Sequence, residues 1–174
     1  MADEGTTIVA LVRDRPGVLN RISSMFRRRN FNIVSLAVGR SEVPGMSRMT
    51  FVVSGDDPTI DQVIKQLRNL IDVASVSPIK DETMVSRELA LIRVKANASS
   101  RAEITQIVDI YRASIVDVAP DSLIVEVTGD EDKVQSLRSL LSTFGIKEMI
   151  RTGRVAMVRG MSQDAQQVKL TDIS

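Results

Sequence analysis

Apolar residues along the chain alternate between short β-branched runs and stretches with helical spacing. Residues 6–12 have the composition of a buried strand, and Pro16-Gly17 ends this run with turn chemistry. A helical stripe follows, made of Val18, Leu19, Ile22, Met25 and Phe26. Strands are then predicted over residues 31–39, 47–54 and 73–77, the last one ended by Pro78. Between the second and third of these, a helix begins at Asp56-Asp57-Pro58 and carries apolar residues through Leu70 and Ile71.

The second half of the chain repeats this order. Strands are predicted over 88–95, 113–118, 122–128 and part of 146–158, with a break at Gly153, and helices over 101–112 and 130–141. A shift of 74 residues places Gly55-Asp56 on Gly129-Asp130. The same shift superposes four apolar pairs: Ile60 on Val134, Val63 on Leu137, Leu67 on Leu141, and Leu70 on Phe144. Ile64, which falls on Arg138, is the exception.

Each half therefore has the order βαββαβ, which predicts an α+β protein with two tandem ferredoxin-like domains. We expect the first domain at residues 6–78, a charged linker at 79–87 and the second domain at 88–160. The polar residues 161–174 are expected to form a flexible tail.

The amino-acid composition excludes several kinds of catalytic and metal-binding site. The 174 residues include no His and no Cys, which excludes a Ser-His triad, a Cys nucleophile, disulfides and any zinc or haem site with His or Cys ligands. The 23 basic and 22 acidic residues leave a net charge of +1, so the overall basic field typical of nucleic-acid or anionic-membrane binding is missing. Residues 1–5 do not resemble a signal peptide, and no apolar run reaches about 18 residues. We expect a soluble, cytoplasmic protein without a metal site, and an enzyme is disfavoured.

The junction of the first strand and helix is a candidate anion site. Gly17 allows close backbone approach, and the free amides around Gly17, Val18 and Leu19 could bind a carboxylate while Asp14 lies near an ammonium. The spacing matches no phosphate-binding loop, so a free amino acid fits better than a nucleotide. The alternative is an ordinary turn between a strand and a helix.

Asn32 begins the second strand, which a split-βαβ sheet places at an edge. Residues 33–38 carry no charge that would deter pairing, so the strand over 31–39 is expected to pair with its copy in a homodimer. Asn32 would then face the Gly17 turn of the other chain. Alternatively, Asn32 only satisfies a turn.

Three arginines at 27–29, with Arg21 on the same helix, are best explained as a solvated helix end rather than a nucleic-acid patch. The acidic groups at 56–57 and 130–132 lie where helix caps are needed, which makes a metal or catalytic site there the minority interpretation.

Two sets of segments resemble a known family. Residues 9–22, including Arg13-Asp-Arg-Pro-Gly-Val-Leu19, resemble the start of an ACT domain, a small amino-acid-sensing module. Residues 29–39 (Arg-Asn-Phe-Asn-Ile-Val-Ser-Leu-Ala-Val-Gly), 47–51, 87–94 and 151–157 are similar to the small regulatory subunit of acetohydroxyacid synthase, also called acetolactate synthase.

The resemblance implies a non-catalytic subunit that activates a large catalytic subunit and confers feedback inhibition by valine, or by leucine or isoleucine. Thiamine diphosphate, Mg²⁺ and FAD would belong to that catalytic partner. The effector site would use Asp14, Gly17, Val18 and Leu19 with Asn32-Ile33 of the neighbouring chain. At the position of Asp14 the family often has Asn, so a charge replaces an amide. Two other classes stay open: an amino-acid-sensing module of another system, and an enzyme using carboxylate, Lys or Tyr chemistry.

Overall fold

The computed structural model of the chain describes residues 5–160. These residues form two compact units, one made of residues 5–85 and 154–160 and the other of residues 86–153. The tail predicted at 161–174 lies outside the described residues. Within residues 5–160, no helix combines the length and the apolar character that crossing a membrane requires.

The first unit has the predicted order of elements. They are strand β1 (Thr6–Arg13), helix α1 (Val18–Arg28), strands β2 (Asn32–Arg40) and β3 (Met46–Ser54), helix α2 (Asp57–Arg68) and strand β4 (Val73–Ile79). The antiparallel sheet has the order β2-β3-β1-β4, so β2 lies at an edge as predicted.

The core of the first unit lies between its sheet and its two helices. Alternate residues of β1, namely Ile8, Ala10 and Val12, share one buried cluster with the apolar faces of α1 and α2. Phe26 of α1 stacks on Phe51 of β3 with ring centroids 5.4 Å apart. This packing holds the start of α1 beside the end of β1.

The second unit repeats the architecture. Strand β5 (Met84–Lys95) leads into helix α3 (Arg101–Ile110), strands β6 (Ser114–Ala119) and β7 (Ser122–Gly129), helix α4 (Glu131–Leu141) and strand β8 (Ile146–Arg151). The sheet order β6-β7-β5-β8 corresponds strand for strand to that of the first unit. The two-domain α+β architecture is confirmed.

The two helix caps predicted at Asp56 and Asp130 are present in the structure. The Asp56 carboxylate accepts the Thr59 amide at 3.0 Å, and the Asp130 carboxylate accepts the Lys133 amide at 2.9 Å. Both acidic groups therefore begin helices, as expected from their positions.

Four predicted boundaries were wrong. Helix α3 ends at Ile110 and not at residue 112, because Arg112 has φ 50°, a left-handed conformation that cannot continue the helix. β4 continues through Pro78 to Ile79, because half of the backbone groups of an edge strand face no neighbour and proline is tolerated there. β5 begins at Met84, inside the predicted linker, after a short 3₁₀ turn at Asp81–Thr83. Ile71 lies beyond the end of α2 and is 82% exposed, so it does not belong to the apolar face of that helix.

The chain changes units after Gly153. A last strand, β9 (Val155–Val158), belongs to the first unit. The Arg154 amide donates to the Ser35 hydroxyl of β2 at 2.9 Å, and its guanidinium donates to the Thr7 hydroxyl of β1 at 3.1 Å. The break predicted at Gly153 is confirmed, while the predicted domain limits at 6–78 and 88–160 remain predictions.

Candidate functional site

A turn of four residues, Asp14 to Gly17, connects β1 to α1; we call it the Gly17 turn. The Asp14 amide fixes its start by donating to the Gly45 carbonyl at 2.8 Å. Gly17 is the N-cap of α1 and has φ 87° and ψ −9°, a left-handed conformation that residues with a Cβ adopt at a cost. The backbone conformation of this turn therefore favours glycine at position 17.

The first amides of α1 are only partly used. Val18 buries its side chain, and its amide reaches the Arg15 carbonyl at the long distance of 3.4 Å. The backbone amides of Leu19 and Asn20 have no acceptor within the helix, because these residues lie in its first turn. No acceptor for these two amides is found among residues 5–160.

Helices α2 and α4 carry an aspartate at the N-cap, whereas α1 and α3 have no side-chain cap at that residue. Of these two, only α3 has an acidic residue, Glu103, in its first turn. The positive end of the α1 dipole therefore faces outward beside the half-exposed side chain of Leu19. Such an arrangement can accept a small anion next to an apolar group.

Opposite charges flank this helix end. The exposed Asp14 carboxylate lies 3.6 Å from Nε of Arg40, at the end of β2. In a second ion pair, Arg21 lies 3.0 Å from Asp72, whose side chain is only 8% exposed. The site thus offers a carboxylate for an ammonium and backbone amides for a carboxylate.

The structure does not bring Asn32 and Ile33 to the Gly17 turn within one chain. β2 runs parallel to β1, so Asn32 lies at the end of the sheet where β1 begins, opposite Ser54. Its amide nitrogen donates to the Ser54 hydroxyl at 2.9 Å. Ile33 is partly buried against the core of the first unit. The two halves of the expected site therefore meet only if two chains combine.

Sequence reasoning missed the partner of Arg21. The sequence pattern groups Arg21 with the solvated arginines at 27–29, whereas the structure pairs it with a buried carboxylate. Asp72 lies in the connection between α2 and β4, where no motif in the sequence marks it. Among the described residues, no group of three or more acidic side chains could hold a metal ion.

Comparisons with known proteins cover both units. Residues 8–75 match the model of the AHAS small subunit-like ACT domain, and residues 87–160 match the model of the small subunit of acetolactate synthase. A probable acetolactate synthase small subunit of Archaeoglobus fulgidus is 56% identical over 154 residues, which are 88% of this chain and 96% of the relative. The chain belongs to the acetolactate synthase small subunit family.

Other members of this family agree. The acetolactate synthase small subunit of Mycobacterium bovis is 47% identical over 160 residues, covering 92% of this chain and 95% of the relative. The crystal structure of the acetolactate synthase small subunit from Thermotoga maritima superposes with a TM-score of 0.85 at 42% identity, covering 90% of this chain and 98% of that one. In this member of the family, the Gly17 turn and β2 both lie within the residues matched by the ACT domain model.

Proposed function

We propose that this chain is the non-catalytic regulatory subunit of an acetolactate synthase. It binds the large, thiamine-diphosphate-dependent subunit, raises its activity and confers feedback inhibition by valine, with leucine or isoleucine as alternative effectors. Thiamine diphosphate, Mg²⁺ and FAD are assigned to the catalytic partner. The observation that carries this proposal is the family match over both units, since an ACT domain alone would fit many regulated enzymes.

The effector binds at the start of α1. Its carboxylate accepts hydrogen bonds from the open amides after Gly17, and its ammonium lies near Asp14. Its branched side chain contacts Leu19, which is 48% exposed in the chain by itself. This arrangement is supported by the missing side-chain cap of α1 and by the Asp14 carboxylate on the same turn.

The neighbouring chain completes the site through β2. In an antiparallel pair of β2 strands, the Asn32 end of one strand lies beside the Arg40 end of the other. Arg40 contacts Asp14 at 3.6 Å, so this pairing carries Asn32 and Ile33 toward the Gly17 turn of the other chain. After a bulge between Ile33 and Ser35, β2 keeps a regular register to Arg40 and offers an uninterrupted edge.

Inhibition follows from a difference in affinity between two states. A ligand held by two chains stabilises the dimer arrangement that brings both parts of the site together. A ligand that bound both arrangements equally would shift neither population.

Reconstitution tests the function. The purified chain is expected to consume no pyruvate, and addition to an acetolactate synthase large subunit is expected to raise turnover and make it sensitive to valine. Pyruvate consumption by the chain alone would show an enzyme instead. Valine binding without any effect on the large subunit would indicate a sensing module of another system.

Calorimetric titration with valine, leucine and isoleucine tests the site. Asn32→Ala is expected to weaken binding, because it removes the group that the other chain contributes. Asn69→Ala is the matched control, since Asn69 is an exposed asparagine at the C-cap of α2. Equal affinities for both variants would remove Asn32 from the site.

Sedimentation tests the dimer. Val38→Lys places a charge on the edge strand β2, where Val38 is 51% exposed, and is expected to dissociate the dimer. Val116→Lys makes the same change on the edge strand β6 at 52% exposure and is expected to leave the dimer intact. A monomeric wild type at micromolar concentration would refute pairing through β2.

A further inference from the structure

The Arg21 side chain lies against the Gly17 turn. Its Nε is 3.5 Å from the Gly17 carbonyl oxygen, which also accepts the Arg21 backbone amide at 3.0 Å in the first helical hydrogen bond. A terminal guanidinium nitrogen is 3.6 Å from where a Cβ on Gly17 would lie. One residue therefore contacts the Gly17 carbonyl through both its backbone and its side chain.

A buried carboxylate holds this side chain in place. Nη1 of Arg21 lies 3.0 Å from the Asp72 carboxylate, whose side chain is 8% exposed while that of Arg21 is 54% exposed. The backbone of Asp72 is itself fixed, because its carbonyl accepts the Arg13 amide at 2.8 Å at the end of β1. Asp72 is thus attached to the strand that leads into the Gly17 turn.

These contacts close a loop around the helix start. It runs from the end of β1 to Asp72, from Asp72 to the Arg21 guanidinium, and from there to the Gly17 carbonyl. The carbonyl oxygen of Gly17 and the amide of Val18 belong to one planar peptide group. Fixing the oxygen therefore fixes that amide and the orientation of the turn that presents the amides of Leu19 and Asn20.

We propose that Arg21, held by Asp72, is a positioning residue for effector binding: it orients the amides at the start of α1 that receive the effector carboxylate. This inference rests on the proposed function of the Gly17 turn. The Asp72 carboxylate already neutralises the guanidinium, so Arg21 acts through the Gly17 peptide rather than as the primary charge that attracts the effector.

Two variants separate positioning from charge. Arg21→Lys keeps the positive charge, but a single ammonium cannot match the two guanidinium nitrogens that face Asp72 and the Gly17 carbonyl. The double variant Arg21→Gln/Asp72→Asn removes both charges without leaving a buried, unpaired carboxylate. Positioning predicts that both variants weaken valine binding about 10- to 100-fold, by analogy with the loss of residues that orient the ligands of a bound metal.

The matched control is the ion pair of Arg151 and Glu88 in the second unit. Its 2.6 Å contact likewise joins a partly exposed arginine, 33% exposed, to a buried carboxylate, 9% exposed, and Arg151 also lies 4.0 Å from Glu131. Arg151→Lys and Arg151→Gln/Glu88→Gln are expected to change thermal stability but not the dissociation constant for valine. Isothermal titration of the full chain gives this constant separately from the number of competent sites, and a merely structural defect lowers only that number.

The possible outcomes are distinct. Weakened binding by both Arg21 variants, with unchanged control variants, supports the inference. Wild-type affinity in Arg21→Lys but not in the double variant would show that Arg21 acts by charge and would overturn it, as would unchanged affinity in both. If the double variant does not fold, Arg21→Lys alone decides. If the wild type binds no branched-chain amino acid, the effector site itself fails, and the inference fails with it.

Discussion

Replacing Gly17 with aspartate should weaken effector binding strongly while leaving the chain folded. The nearest atom to a Cβ at position 17 is a terminal nitrogen of Arg21 at 3.6 Å, an ordinary contact, so the side chain fits. The remaining cost is the left-handed backbone conformation, about 1–2 kcal/mol for a residue with a Cβ. The new carboxylate would lie at the open amides of α1, where the effector carboxylate is expected.

The loss of affinity follows from the bond that is displaced. A hydrogen bond to a charged group contributes about 1.5–3 kcal/mol. Removing one such bond corresponds to a loss of about 10- to 150-fold in affinity, and repulsion between two carboxylates adds to it. Gly17→Ala has the same backbone cost without the charge, so it should retain more affinity than Gly17→Asp.

Gly145→Asp is the matched control for the backbone. Gly145 has φ +100°, and a Cβ there would meet only the Cβ of Lys95 at 3.7 Å. Urea denaturation should show a loss of about 1–2 kcal/mol for Gly145→Asp and a smaller loss for Gly17→Asp, because the new carboxylate accepts hydrogen bonds from the open amides of α1. Calorimetry should show weakened valine binding for Gly17→Asp alone. Undiminished valine binding by Gly17→Asp would refute the assignment of the site to this turn. If Gly17→Asp unfolded while Gly145→Asp stayed folded, the argument from backbone strain would be refuted.

Three further predictions concern stability. Phe26→Ala removes a ring that is 2% exposed and stacked on Phe51, and should lower the free energy of unfolding by about 3–5 kcal/mol in urea denaturation; a loss below about 1 kcal/mol would contradict this packing. Leu137→Ala, at a fully buried position of α4, should cost about 2–5 kcal/mol by the same measurement, and a negligible loss would mean that α4 does not pack on its sheet. Hydrogen bonds from the Thr59 hydroxyl and amide lower the pKa of Asp56. Because the folded pKa of Asp56 lies below its unfolded value, the cap stabilises the protein above the unfolded pKa and loses this effect as the pH falls through the folded pKa. The difference in unfolding free energy between wild type and Asp56→Asn should therefore disappear in acid. A difference that grew in acid would contradict this argument.

Local patterns determined most of the fold. Strand and helix periodicity, the aspartate caps and the repeat at 74 residues predicted two βαββαβ units, because a βαββαβ chain with these apolar faces has few ways to bury them. The errors fell at boundaries such as Pro78 and Ile71. At these residues, the end of the strand or helix depends on which other segments lie beside it in the fold. A local sequence pattern carries no information about those segments.

Part of the candidate site could be predicted from local sequence patterns, and part of it could not. The Gly17 turn was predicted because glycine after proline at the end of a strand is a local signal. The pairing of Arg21 with Asp72 was not predicted, because the two residues lie on different elements and meet only when α1 and the end of α2 pack on the same sheet.

The sequence by itself determined the two repeated units, the edge position of β2, the glycine at the start of α1 and the exclusion of His and Cys chemistry. Only the tertiary structure decided that Arg21 is fixed by a buried carboxylate, that residues 154–160 return to the first unit, and that Asn32 lies at the far end of the sheet from the Gly17 turn. The physical reason is range: turns, caps and periodicity depend on neighbours within a few residues, whereas ion pairs and sheet ends depend on which distant segments the core brings together.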